Sequence, residues 1–243
     1  MKRRMKQTSG EAMKKRVSIS PKGIYIILSV TLLAIVVCLI DALLHPPYFS
    51  KIPIKILFFL LIPLSYFLVN RKDLGQFKAL FTFKRKGLFK ALLLGSGIYL
   101  FIVGGFFLTR GFIDFSGVTK SLTQGMGITA ENFVYVSLYL SLMNSFLEEF
   151  FFRGYGFITL QKYTGKGFAY LFSSFVFALY HVGMMLGMFH PAVLLLLLLG
   201  LIIGGCIFSY LNDKDGNIYT SWFVHMFANF AINTVGFVLF GIL

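Results

Sequence analysis

Three short stretches of this chain place polar or ionisable side chains where an apolar helix would otherwise run unbroken. The first reads Ser137-Leu-Tyr-Leu-Ser141-Leu-Met-Asn144-Ser145-Phe-Leu-Glu148-Glu149-Phe-Phe-Phe-Arg153. Ser137, Ser141, Asn144 and Glu148 recur at steps of three and four, which puts them on one helix face as a stripe about 16 Å long. Glu149 points about 100° away and stands four residues before Arg153, in register for an ion pair. In the second stretch Ser174, Phe177 and His181 share a face. In the third, His225, Asn229 and Asn233 follow at i, i+4 and i+8. Each has a bland reading alone. Paired glutamates near a helix end can simply be solvated, a histidine on an apolar helix is more often a packing residue, and Asn and His hydrogen-bond helices together. Taken together, Glu148, His181, His225 and Asn229 supply a general base, a partner for a water molecule and donors for a developing oxyanion. Those are the parts needed to attack an amide carbonyl with water.

The same groups raise the question of a metal. Glu148, His181 and His225 could ligate zinc, but no HExxH is present, the histidines come from different helices, and Asn229 is a poor zinc ligand. The reading is a centre with no metal and no cofactor, with zinc as the alternative. His45 and His190 sit beside prolines at span ends and are assigned no chemistry.

The elements that carry these residues follow from composition. The 243 residues are 57% hydrophobic and only 13% charged, with mean hydropathy +0.80. A soluble domain could not hide that much apolar surface, so lipid is the solvent. Seven stretches approach the roughly 20 apolar residues a span requires: 24–44, 52–69, 89–109, 132–152, 167–186, 191–211 and 218–241. The second is the least secure, because it carries Pro53, Lys55 and Pro63. The fold class is all-α, a polytopic transmembrane bundle. Its expected parts are a basic cytoplasmic tail over 1–22, N-terminal helices and loops over 23–129, and a catalytic core over 130–241. Cys38 and Cys206 lie in apolar runs and read as small buried hydrophobes.

Charge gives the orientation. With the N-terminus inside, 19 of the 23 Lys and Arg fall in cytoplasmic segments, Arg153 among them, and Lys51, Lys55, Arg110 and Lys120 fall at the outer face. That bias predicts an N-in, C-out protein with seven helices, whose basic excess meets anionic lipid rather than nucleic acid. Segment 74–90 alternates Leu and Phe with Lys and Arg and reads equally as an interfacial helix or a basic loop.

The motifs together resemble a family. Glu148-Glu149-Phe-Phe-Phe-Arg153, Phe177-Ala-Leu-Tyr-His181 and His225-Met-Phe-Ala-Asn229 look like the EExxxR, FxxxH and HxxxN motifs of the CAAX-protease and bacteriocin-processing (CPBP/Abi) membrane proteins, in the family's order. The resemblance covers about 130–235. It implies an intramembrane endopeptidase, glutamic or metallo, in which Glu148 activates water with help from His181. His225 and Asn229 would stabilise the oxyanion, and Glu149 and Arg153 would hold the end of the fourth helix. Family members trim prenylated CAAX tails, process peptides, or confer bacteriocin self-immunity. The expected partners are the bilayer and a membrane-associated peptide or protein substrate, and the small size points to a bacterial plasma membrane. A non-catalytic scaffold or self-immunity protein is the rival reading. A transporter would need two similar halves, and the sequence has none. Leu94-Gly95-Ser96-Gly97 lacks the first glycine of a rhomboid GxSG, and no GxGD occurs.

One expectation conflicts with the rest. Counted from the cytoplasmic ends, Glu148 and His225 lie about 6 and 10 Å deep but His181 nearer 20 Å. Either the fifth helix begins deeper, around Gly165-Lys-Gly167, or the cavity is tall.

Overall fold

The computed structural model describes residues 19–243, so nearly all of the basic tail lies outside the described residues. Six helices are long and apolar enough to cross a membrane: α1 (Pro21–Leu44), α2 (Tyr48–Val69), α3 (Arg85–Thr109), α5 (Lys166–Met185), α6 (Pro191–Asp215) and α7 (Tyr219–Leu239). Between α3 and α5 a seventh run, α4, extends from Phe133 to Thr159 through alternating α and π segments. It is long enough to span but carries Glu148, Glu149 and Arg153. The expected helical membrane bundle is the observed fold, and no strand occurs among the described residues.

Local chemistry sets the helix ends. Ser20 caps α1 by accepting the Gly23 amide at 3.2 Å, with Pro21 in the first turn where its missing N–H costs nothing. At the far end His45 turns left-handed (φ 44°) ahead of Pro46 and Pro47, and the chain reverses into α2. Within α2, the wide π turn Ile56–Leu61 precedes Pro63, where the ring would otherwise clash with the preceding turn. Gly216 (φ 69°) closes α6.

The centre of the bundle is α4, whose residues from Glu149 to Thr159 are all buried. Aromatic rings pack around it: Phe59 of α2 stacks on Phe151 at 4.3 Å, and Phe152 meets Phe177 and Tyr180 of α5. Helices α1, α5 and α6 pack beside α4, while α3 lies along α7. Gly183 lets α1 and α5 touch, since a Cβ there would overlap the Cys38 carbonyl.

Segment 74–90 divides in two: Leu74–Leu80 forms a short helix, and Arg85 to Lys90 make the first turns of α3. Phe77 and Phe81 pack on Phe67 and Phe150, and the Leu80 carbonyl accepts the Ile218 amide at 3.1 Å. Beside it Asp73 is buried and ties three elements together. It accepts from Tyr163 (2.7 Å), Tyr66 (3.1 Å) and Lys22 (3.3 Å).

Two expectations are corrected. The fourth span does not stop at 152. It continues to Thr159, because Phe157, Ile158 and Leu160 are buried and extend the apolar run beyond Arg153. Glu148 therefore lies about 16 Å from that end of the helix, and the depth conflict with His181 disappears. The charge assignment also changes. Arg153 is buried in mid-helix, and Lys51 and Lys55 are buried inside α2, so none of the three is a loop charge.

Candidate active site

Helices α4, α5 and α7 bring their polar faces together, as the spacing implies. Ser137, Ser141, Asn144 and Glu148 are all buried. Glu148 Oε2 lies 3.7 Å from His225 Nε2 and 4.0 Å from His181 Nε2. These separations are too long for direct hydrogen bonds and suit a bridging molecule.

The ring orientations say what kind. His181 Nδ1 is 2.7 Å from the Phe177 carbonyl, and His225 Nδ1 is 3.1 Å from Glu149 Oε1. Carbonyl and carboxylate oxygens only accept, so in both neutral rings Nδ1 carries the hydrogen and Nε2 presents a lone pair. Two lone pairs and one carboxylate oxygen therefore converge. A water has two hydrogens and so satisfies two of the three at a time.

Zinc would also satisfy lone pairs, and the donor types are those of a zinc site. The spacing fits less well: tetrahedral zinc with bonds of about 2.0–2.1 Å sets its ligand atoms roughly 3.4 Å apart, whereas the pairs here are 3.7 and 4.0 Å. A cation, Lys55 Nζ, already stands 3.8 Å from Glu148 Oε1. Among the described residues no cluster of three His, Cys, Asp or Glu side chains has the arrangement of a metal site.

The neighbouring acid is also paired. Arg153 Nη1 lies 3.4 Å from Glu149 Oε1, both side chains having no exposure. The sequence placed this pair at the helix end, but the longer α4 puts it in the middle. The guanidinium sits 4.0 Å from the Phe177 ring centre and 5.0 Å from Phe208. Phe177 also meets the His181 and His225 rings edge-on, at 4.7 and 5.9 Å, and Phe208 stacks on His225. Phe177 thus touches both imidazoles and the guanidinium.

Asn229 is placed differently. Its Nδ2 donates to the Leu140 carbonyl at 2.9 Å, and Asn233 donates to Ser137 O and Ser141 Oγ. Both amides attach α7 to α4 where α4 widens into its π turn Leu140–Asn144. Among the described residues no hydrogen bond joins Asn229 to Glu148, His181 or His225. A groove of about 620 Å³ between α3, α4 and α7 borders this stripe at Ser137 and Asn233, with Tyr99, Phe227, Phe230 and Thr234 in its walls.

Three residues here had no assigned role in the sequence reading. Asn144 Nδ2 and Tyr180 Oη donate to Glu148 Oε1 at 2.6 and 2.9 Å, and Lys55 Nζ donates to Asn144 Oδ1 at 2.8 Å. Lys55 carried a usable signal, because a charge inside an apolar run requires a partner. Tyr180 had none, since a tyrosine is unremarkable in an apolar helix.

Fold and centre define a polytopic helical membrane protein with a carboxylate and two imidazoles buried together among its helices. Residues 130–231 match the family model described as "Rce1-like: Type II CAAX prenyl endopeptidase Rce1-like". This stretch is a CAAX-protease-family domain, and its general class is the intramembrane endopeptidases. The match runs from the loop before α4 into α7 and includes every motif residue. No curated protein and no solved structure gives a significant match.

Proposed function

We propose that this protein hydrolyses a peptide bond of a membrane-associated substrate, with Glu148 as general base and no metal. The convergence of Glu148 Oε2 with the two Nε2 atoms carries the proposal. A water that donates one proton to Glu148 Oε2 and the other to His181 Nε2 has its oxygen pinned between them. Glu148 takes one proton as the oxygen attacks the carbonyl carbon, then returns it to the departing amine. His181 Nε2 orients the water. His225 donates to the oxyanion when Nε2 carries a proton taken from solvent, and the Glu149 carboxylate on its Nδ1 stabilises that imidazolium. Asn229 has one amide hydrogen left after its bond to Leu140 and contributes through that hydrogen. The substrate class to test first is a peptide ending in a prenylated CAAX tail, the class in the matched family's description. The apolar groove beside Asn233 offers room for a lipid or apolar segment. We place the protein in a bacterial plasma membrane with its N-terminus inside. The basic bias supports that orientation more strongly once buried Arg153, Lys51 and Lys55 are left out of the loop charges.

The test uses purified protein in lipid vesicles and a quenched fluorescent peptide with an S-farnesylated CAAX tail. Glu148→Gln and His181→Ala should each lower cleavage about 100-fold or more, and dialysis against a chelator should leave the rate unchanged. In parallel, the peptide fractions of cells carrying wild type or Glu148→Gln are compared. Normal cleavage and an unchanged peptide fraction in folded Glu148→Gln would refute the enzyme and favour the scaffold reading. Loss on chelation with recovery on zinc would refute the metal-free mechanism.

A further inference from the structure

The spans bury six charges as three matched pairs: Asp41 with Lys51 at 2.6 Å, Glu148 with Lys55 at 3.8 Å, and Glu149 with Arg153 at 3.4 Å. Two of the three cations come from α2, which lies outside the matched residues 130–231. Lys51 is neutralised by Asp41 within its own hairpin of helices. Lys55 reaches across to α4, and its side chain is only 8% exposed.

Hydrogen-bond chemistry gives this contact a direction. A lysine ammonium has donors and no acceptor. Asn144, 2.8 Å from Lys55 Nζ, must therefore present Oδ1 to it, which turns Nδ2 toward Glu148 Oε1 at 2.6 Å. Tyr180 donates to the same oxygen, and Lys55 stands over the Tyr180 ring at 5.3 Å. Oε1 is thus committed to two donors with a cation nearby. Among the described residues Oε2 receives no hydrogen bond, and it faces the two imidazole lone pairs. The two oxygens of a free carboxylate are equivalent, and here the surroundings make them unequal.

We propose that Lys55 is a positioning residue for Glu148: by fixing the Asn144 amide, it commits one carboxylate oxygen to the scaffold and leaves the other for the water. Without Lys55, nothing holds the Asn144 carbonyl away from Glu148. A half-turn of the amide would set acceptor against acceptor and swing the carboxylate out of line with His181 and His225. This inference rests on the endopeptidase reading and adds to it a residue from the N-terminal helices.

The test uses the full-length protein in vesicles with the farnesylated peptide. Lys55→Met should lower kcat about 10–100-fold with KM nearly unchanged, and Lys55→Arg, which keeps donors and charge, should recover much of the loss. Asn144→Asp keeps the side-chain size and the bond to Lys55 but cannot donate to Glu148, so it should lose kcat similarly. A stability cycle needs no substrate: Lys55→Met should cost thermal stability in wild type and little in the Glu148→Gln background. Wild-type kcat in both Lys55→Met and Asn144→Asp, with Glu148→Gln inactive, overturns this inference alone. Full activity in Glu148→Gln overturns the endopeptidase reading itself. Equal stability loss in both backgrounds also overturns the coupling of Lys55 to Glu148.

Discussion

Arg153→Met tests the electrostatic frame behind the site. Arg153 and Glu149 have no exposure, and the guanidinium is walled by Phe177, Phe208 and Phe152. None of these rings can replace it as a partner for the acid. Removing the cation leaves a buried carboxylate whose remaining side-chain hydrogen bond comes from His225. Breaking one side of a buried pair costs about 3–5 kcal/mol. The lost cation–π contact adds up to about 2 kcal/mol. The guanidinium's Nε, Nη1 and Nη2 and Glu149 Oε2 make no hydrogen bond among the described residues. The contact is therefore an ion pair rather than a fork, which favours the lower end of the range. At about 2–4 °C per kcal/mol for a chain of this size, thermal unfolding of the solubilised protein should fall by roughly 6–15 °C. The double variant Glu149→Gln/Arg153→Met removes both charges at nearly constant volume and should recover most of that loss. An Arg153→Met protein that melts with wild type, or a double variant no better than the single, would refute the reasoning.

Two further outcomes follow from other contacts. Gly183→Ala should destabilise by about 1–3 kcal/mol, because its Cβ would overlap the Cys38 carbonyl and push α1 from α5; the melting temperature reports this. Burial raises the Asp73 carboxyl, but hydrogen bonds from Tyr163, Lys22 and Tyr66 outweigh it and hold the group below its ordinary range. Its stabilisation is complete above the unfolded value of about 3.9 and is lost as pH falls through the lower folded value. Asp73→Asn should therefore lower the melting temperature at neutral pH and shrink the gap to wild type below about pH 4; a gap constant with pH would disprove the link.

Much of this protein was legible before folding because lipid imposes strict local rules. Each span must be long and apolar, so the helical runs are visible in hydropathy, and a polar group inside one needs a partner. Ser137 through Glu148, Ser174 through His181 and His225 through Asn233 therefore announced buried faces by helical period alone. The Glu149–Arg153 pair followed from a spacing of four residues.

Tertiary structure decided the rest, since period defines a face but not what lies opposite it. Lys55 and Glu148 are 93 positions apart, and no local pattern says that one reaches the other. Charge counting placed Lys55 at a membrane surface because that method presumes that lysines avoid the interior. Asn229 shows the converse: its spacing from His225 is right for a shared face, yet the π turn in α4 offers the Leu140 carbonyl, and the amide goes there. The end of α4 was misplaced for a related reason. Buried charges lower hydropathy as loops do, and only their pairing across helices tells the two apart.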